Sequence, residues 1–348
     1  MGTPLNRDHY IRAATTSRKG FTIVELIVVI IVIGILVGVV IIGYGNWRQE
    51  ISRNTINSDL IHAGAAMESN ANFSNSYPAS VGSVYTASSG AQLSGGALGT
   101  RNFCISESRQ SDVFFMTKQK IVLPGVCPLV YFDPSKTETY PGTGTVAYDL
   151  SGNSEDGTFR NATTDNVAGP TYVANDGGGV FAFDGTGKYY TPDILTLGPN
   201  MTWFACAKTV ASSNGYNMFM GQYLPYFGTY TNGTSIIFSD KISGTQRTLT
   251  STSPAIPLNT WNCYAFTTSY DGANTTMTIY INGTQRVAGT YTGQQDPATS
   301  KFTVGDGNYP ALWYPFNGRI GDVAIYPRTF SASEIQGIFG VVRGKYGI

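Results

Sequence analysis

Hydrophobic and polar positions fall into three regimes along the chain. Residues 1–20 are polar and basic, with Arg7, Arg12, Arg18 and Lys19 against a single acid, Asp8. From Phe21 to Ile42 the pattern is almost wholly apolar, interrupted mainly by Thr22, Glu25 and the glycines Gly34 and Gly38. At 1.5 Å per residue these roughly 22 residues reach about 33 Å, enough for a bilayer core of about 30 Å. The basic flank then stays cytoplasmic and the remainder lies outside. A secretory signal would be shorter and end in a small-residue cleavage site, so the run predicts a retained membrane helix over 21–43.

The helical pattern continues past Gly43 and Gly45. Tyr44, Trp47 and Ile51 keep helical spacing, and Ile56, Leu60, Ala63 and Met67 resume it after a one-residue slip. One helix is predicted over about 21–72, roughly 78 Å long, with Asn70, Asn72 and Ser74 beginning the exit. Gly34 and Gly38 form a small-xxx-small pair that suits close helix approach and equally suits a merely flexible anchor.

Beyond the helix the period changes. Residues 74–101 are rich in Ser, Gly and Ala and are expected to wrap the helix without making a core. Two strands are predicted around Asn102–Ser106 and Val113–Thr117, before Pro124-Gly125-Val126-Cys127-Pro128. From Pro128 onward, short β-type runs alternate with Gly and Asn-Gly turns. In Thr275–Ile281, Met277, Ile279 and Ile281 alternate with Thr276, Thr278 and Tyr280, and Asn282-Gly283 supplies a hairpin turn. Further runs near 180–184, 201–208, 235–239, 261–270, 302–304 and 319–326 make a sandwich the natural architecture. The predicted fold is α+β: a long N-terminal helix with a small β head, then an antiparallel β-sandwich of the jelly-roll kind. The predicted division is a leader at 1–20, a helix-and-head domain at 21–127 and a sandwich domain at 128–348.

Composition narrows the function. The 348 residues carry 22 basic and 22 acidic groups, 13% charged in all, against about 25% in an average globular chain. Without a net positive charge or a basic stripe, nucleic acid is not an expected partner. His9 and His62 are the only histidines, which argues against a histidine-dependent triad or a multi-histidine metal site. A glycosidase needs two carboxylates flanking the scissile bond. From 128 onward only Glu138, Glu155 and Glu334 are glutamates, and no strand carries alternating acids. An enzyme is therefore not expected.

The four cysteines suggest disulfides in an exported chain. Cys104 and Cys127 bracket the predicted hairpin; closing a loop of about 24 residues contributes about 3.5 kcal/mol in the chain-entropy model. A zinc pair is the alternative, but no histidine or third cysteine lies nearby. Cys206 and Cys263 sit on two predicted strands, expected to bond across neighbouring strands or between sheets, with two buried free thiols as the alternative.

Glu25 does not suit a plain anchor, since an acid inside a bundle of apolar helices needs a cationic partner. Its surroundings, Ser17-Arg18-Lys19-Gly20-Phe21-Thr22-Ile23-Val24-Glu25-Leu26, resemble the processing site of type IV prepilins. The resemblance implies that a membrane aspartyl peptidase, the prepilin peptidase, cuts between Gly20 and Phe21. The new amine on Phe21 is then methylated. It also implies that Glu25 pairs with the Phe21 amine of a neighbouring subunit and so sets the stagger of a helical filament. The Cys104–Cys127 arrangement is similar to a reduced pilin head.

A second resemblance runs through Ala147-Tyr-Asp149-Leu-Ser-Gly-Asn153-Ser-Glu-Asp156-Gly, Val180-Phe-Ala-Phe-Asp-Gly185, Met201-Thr-Trp-Phe-Ala, Trp261-Asn-Cys-Tyr-Ala and Tyr280-Ile-Asn-Gly283. It closes with Phe316-Asn-Gly-Arg-Ile-Gly-Asp-Val-Ala-Ile-Tyr326 and a capping box, Ser331-Ala-Ser-Glu334. In order, these segments resemble the laminin-G-like, concanavalin-A-like jelly rolls of extracellular binding proteins. Gly321 departs from the family, which often has Asp there, and this weakens a calcium ligand at that position. Asp149, Asn153 and Asp156 supply oxygens suited to calcium, the one cofactor considered, although such residues in Gly-rich turns usually bond the backbone. Aromatics crowd two predicted loops: Tyr216, Tyr223, Tyr226, Phe227 and Tyr230, then Tyr309, Trp313 and Tyr314. Such rings suit the apolar faces and hydroxyls of sugars; filling the sandwich edge is the plainer role. The two resemblances imply a type IV pilus subunit, held in the cytoplasmic membrane before assembly and extracellular afterwards. It would display a lectin-like domain for glycans or other cell-surface ligands. A pseudopilin of a secretion or DNA-uptake system and an anchored surface lectin that never polymerises are the alternatives.

Overall fold

The fold was analysed in a computed structural model, which describes residues 22–88, 90–98, 102–110, 112–161, 169–210, 215–230, 235–252, 255–307 and 314–348. The side chains at 38–46, 49 and 230 are likewise outside the description. The chain forms two compact units, Met1–Ile51 and Ser52–Ile348. Helix α1 (Ile23–Ser74) begins in the first and ends in the second.

In the first unit α1 opens with a reciprocal cap: Glu25 N donates to Thr22 Oγ1 at 3.2 Å and Thr22 N donates to Glu25 Oε2 at 2.8 Å. The large apolar side chains between 23 and 37 are 49–79% exposed. Among the described residues no helix is long and apolar enough to cross a membrane. The stretch 23–37, where side chains are described, spans about 22 Å at the helical rise.

In the second unit the predicted periodicity is borne out residue by residue. Ile56, Leu60, Ala63 and Met67 are fully buried against Val81, Phe103, Ile105 and Met116. These partners come from a four-stranded antiparallel head sheet, β1 (Gln92–Leu98), β2 (Asn102–Arg109), β3 (Asp112–Thr117) and β4 (Val122–Pro124), and from a 3-10 turn at Val81–Ser83. The segment expected only to wrap the helix thus supplies both a buried valine and an edge strand. Its Ser and Gly residues at 94–96 conceal the strand, which is held by pairing with β2 more than by its own apolar faces.

The sandwich follows in chain order: β5 (Val130–Phe132), β6 (Val146–Ala147), β7 (Gly157–Asn161), β8 (Thr171–Val173), β9 (Val180–Asp184) and β10 (Gly187–Tyr190). Next come β11 (Met201–Thr209), β12 (Tyr216–Gly221), β13 (Tyr226–Tyr230), β14 (Ser235–Ile242) and β15 (Thr245–Ser251). The last are β16 (Trp261–Tyr270), β17 (Asn274–Ile281), β18 (Thr284–Thr292), β19 (Thr303–Val304) and β20 (Asn317–Tyr326), before helix α2 (Ala332–Tyr346). One sheet runs β15-β14-β13-β12-β19-β10-β7-β6; the other runs β18-β17-β16-β11-β20-β9-β8, with β5 also on β20. Sequential hairpins build much of each sheet. The Asn282-Gly283 turn has both residues at positive φ, 49° and 75°, as a type I′ hairpin requires.

Between the sheets lies one large core, including Phe132, Phe181, Trp203, Phe227, Phe266, Ile279 and Ile325. Met277, Ile279 and Ile281 face into it as their alternation predicts. The outer face of the β11-β16-β20 sheet is also apolar. There Phe204, Cys206, Trp261, Ala324 and Tyr326 pack with Ile335, Ile338, Val342 and Tyr346 of α2 and with Phe115 and Leu123 of the head. Tyr326 Oη donates to Pro124 O at 2.9 Å. Gly125 lies so close to that ring that a Cβ there would sit 2.3 Å from it. The boundary expected between 127 and 128 therefore lies inside a unit whose head and sandwich share an apolar layer. Both disulfides form: Cys104–Cys127, with Cα atoms 5.8 Å apart, and Cys206–Cys263, 4.0 Å apart. The second pair joins directly opposed residues of β11 and β16, so it bridges neighbouring strands and not the two sheets.

Candidate functional site

The three groups of candidate residues lie in different parts of the molecule. Gly20 and Phe21 fall outside the described residues. Glu25 serves the first turn of α1, where Thr22 Oγ1 also donates to its Oε2 at 2.8 Å, an arrangement the Thr-x-x-Glu spacing could have disclosed.

The aromatic group is rearranged relative to its expectation. Tyr216 belongs to β12, and Tyr226, Phe227 and Tyr230 belong to β13, so these are strand residues and not a loop. Phe227 points into the sandwich core. Tyr226 is 4% exposed, and its hydroxyl accepts from Gln246 Nε2 at 3.0 Å. It braces the surface and offers no open ring face, which corrects its assignment as a ligand contact. Tyr314 does lie at the surface: half-buried, it sits with its ring centroid 4.4 Å from Tyr216 and 6.1 Å from Tyr226. With Met218, Ile237 and Leu224 these rings form a small apolar patch on the outer face of the β12-β13-β14 layer. Tyr223, 42% exposed, stands at the β12–β13 turn. Tyr309 and Trp313 lie outside the described residues.

A buried ion pair anchors this patch. Lys188 Nζ meets Asp306 Oδ2 at 3.2 Å, with both side chains essentially inaccessible. The other carboxylate oxygen, Asp306 Oδ1, accepts from the backbone N–H of Gly307 at 2.7 Å and of Tyr314 at 2.9 Å. Sequence inspection missed the pair because 118 residues separate its partners; the only local sign is Asp306-Gly307 after a short β-run.

The calcium candidates do share one neighbourhood. Asp149 Oδ1 accepts from Tyr131 N and Ser151 N, both at 2.9 Å, and Oδ2 accepts from Ser151 Oγ at 2.5 Å and Glu155 N at 3.2 Å. Burial nevertheless raises its pKa to about 6, the hydrogen bonds from Ser151, Tyr131 and Glu155 acting against it. Asp156 Oδ1 accepts from Asp149 N at 2.9 Å. Asn153 turns its Nδ2 toward the carbonyls of Pro128 and Leu129, each at 3.0 Å. Both Asp149 carboxylate oxygens, Asp156 Oδ1 and Asn153 Nδ2 are thus engaged in folding the loop. Among the described residues no group of three or more His, Cys, Asp or Glu side chains is arranged to hold a metal.

A further acid–base network closes the C-terminus. Lys345 Nζ reaches Asp133 Oδ1 at 2.6 Å and Asp322 Oδ2 at 2.9 Å, and Tyr346 Oη donates to Asp322 Oδ2 at 2.6 Å. Gly321 beside it is obligatory, because a Cβ there would lie 2.0 Å from Tyr346 Oη.

Comparison with known proteins gives two family matches. The prokaryotic N-terminal methylation motif matches residues 15–41, and the concanavalin A-like lectin/glucanases superfamily matches residues 183–336. No curated protein matches the chain. Among solved structures the chain is similar to domain 4 of a GH43 extracellular arabinanase from Geobacillus stearothermophilus, determined in complex with arabinotriose. That match has 18% identity over 61% of this chain and 97% of that one, with a TM-score of 0.47. It is also similar to the botulinum neurotoxin type G receptor binding domain, at 13% identity, 62% and 51% coverage and a TM-score of 0.38. A Trypanosoma rangeli sialidase matches at 16% identity, 63% and 33% coverage and a TM-score of 0.37. The chain thus spans about half the length of the neurotoxin domain and a third of the sialidase.

Proposed function

We propose that this type IV pilin-like surface protein, with its prepilin methylation motif and lectin-like sandwich, is an assembled pilus subunit. Its sandwich binds glycans at a cell surface. The observation that carries the assembly reading is the pairing of the motif at 15–41 with a helix whose large apolar side chains between 23 and 37 are 49–79% exposed. Such a surface needs apolar company, first lipid and then the same helix of other subunits. The polar tips and apolar bodies of Tyr216 and Tyr314 supply a contact surface of the kind sugars stack on.

The sandwich is read as a binder and not a hydrolase. Glu334 is committed to the α2 cap and to Arg328, whose Nη1 lies 3.1 Å from its Oε2. Glu155 lies beside the Asp149 loop. N-terminal sequencing of fibres sheared from cells tests the first half: the reading requires a methylated phenylalanine, Phe21, at the start. A Met1 start would favour the anchored lectin. A glycan array probed with the full-length chain in detergent tests the second half, with Tyr314→Ala expected to lose at least tenfold in binding; no glycan above background would remove it.

A further inference from the structure

The outer face of the β9-β11-β20 layer carries a second pocket, on the other sheet from the aromatic patch. Lys208 of β11 and Arg319 of β20 are directly opposed in the ladder. Both reach one carboxylate: Lys208 Nζ lies 3.5 Å from Asp176 Oδ2, and Arg319 Nη1 bonds the same oxygen. Asp176 is fixed from behind, its Oδ1 accepting the indole N–H of Trp261 at 2.7 Å. Burial raises the Asp176 pKa, but hydrogen bonds from Trp261 and Arg319 and the charges of Lys208 and Arg319 more than offset this. The carboxyl therefore sits below its ordinary range.

The arrangement leaves cationic capacity over. Two cations share one anion, and among the described residues Arg319 makes no hydrogen bond or ion pair beyond Asp176. The neighbouring acid Asp184, opposite Asn317 in the ladder, turns Oδ1 back onto Thr186 and the N–H of Gly187. Arg319, with its side chain 39% exposed, therefore presents the rest of a planar fork, held in place through its Asp176–Trp261 brace. It faces a cavity of about 470 Å³ lined also by Ala182, Val210, Asn259 and Asn317. That volume suits one or two sugar rings.

We propose that this pocket binds the carboxylate of an acidic sugar. The open edge of the Arg319 fork takes the carboxylate through paired N–H···O bonds, which a planar guanidinium provides and an ammonium does not. Lys208 adds a second positive charge. The amides of Asn259 and Asn317 serve ring hydroxyls, and Ala182 and Val210 meet the C–H face. Sialic and uronic acids both carry the required group, so the experiment separates them.

The test is calorimetric titration of the full-length chain in detergent with N-acetylneuraminic acid and with galacturonic acid, each beside its methyl ester. At least one acid is expected to bind, with its ester at least tenfold weaker and affinity falling as salt rises. Preference for one acid identifies the source. Arg319→Lys, which loses the bidentate geometry, should cost about tenfold, equivalent to about 1.4 kcal/mol, and Arg319→Gln should abolish binding. Val210→Glu places an anion at the rim without touching the Asp176 brace, so it should block binding even if the arginine variants fold poorly. Tyr314→Ala should leave acid binding unchanged, which separates this site from the aromatic patch. Binding of neither acid, equal binding of acid and ester, or unaltered binding by Val210→Glu would overturn the proposal.

Discussion

Glu25 and Thr22 cap one another: each backbone N–H is received by the other's side chain, at 3.2 Å and 2.8 Å. The glutamate that the prepilin resemblance assigns to subunit pairing therefore also stabilises the first helical turn. The two roles separate by substitution. Glutamine retains the box, since it too can accept at that position, but loses the charge; alanine loses both, costing the turn about 1 kcal/mol. Glu25→Gln and Glu25→Ala are both expected to be processed after Gly20 and both to yield few fibres in a shearing assay. Abundant fibres from Glu25→Gln would show that the cap, and not the charge, is what assembly uses.

Glu107 makes the head sensitive to pH. It lies fully buried on β2 near Asp59 of α1, which accepts from Tyr85 Oη at 2.9 Å and Ser88 N at 3.0 Å. Burial and the Asp59 charge raise the Glu107 pKa from 4.5 to about 7, with Arg109 opposing. The folded state therefore takes up a proton that the unfolded chain releases. The stabilisation is complete below about pH 4.5 and is lost as pH rises through 7. Asp240, raised by burial to about 7, slopes the same way. Glu107→Gln should raise the stability at pH 8 by an amount on the order of 1–2 kcal/mol after allowing for screening, seen as a higher thermal midpoint, and little at pH 5. An equal change at both pH values would refute the titration.

Cys206–Cys263 closes a separation of 57 residues, for which the chain-entropy model gives about 4 kcal/mol. The double variant Cys206→Ala/Cys263→Ala is expected to lower the denaturant midpoint accordingly. Reductant should produce a larger shift in the parent, which loses both disulfides, and leave the variant responding only through Cys104–Cys127. A variant midpoint equal to the parent's would dismiss the contribution.

Gly321→Ala drives a methyl group into Tyr346, whose ring atoms would lie 2.6 and 2.8 Å from it. The ring is buried and holds Asp322 through two hydrogen bonds, so it cannot swing aside cheaply. A loss of about 2–3 kcal/mol is expected from overpacking, read by calorimetry. Unchanged stability would mean that α2 can shift to make room.

Local periodicity carried far in this chain. Ile56, Leu60, Ala63 and Met67 announce a buried helix face because their spacing is itself the contact surface, and Ser331 with Glu334 announces a helix start within four residues. The strands β12 and β13 were not legible in the same way. Tyr216, Tyr226 and Tyr230 alternate with glycine, proline and other aromatics, so no clean polar face marks them, and pairing with β14 and β19 makes them strands.

By itself the sequence determined the apolar rod, the four cysteines, the hairpin at Asn282-Gly283 and the capping box of α2. In each, the partners are chain neighbours or the composition is decisive. Only the tertiary structure decided which aromatics are core, that the head and sandwich share an apolar layer, and which charges meet. Lys188 with Asp306, Asp176 with Arg319 and Asp133 with Lys345 are separated by 118, 143 and 212 residues. Such pairs form because the fold brings segments distant in the chain side by side, and nothing in the local spacing of one partner encodes the position of the other.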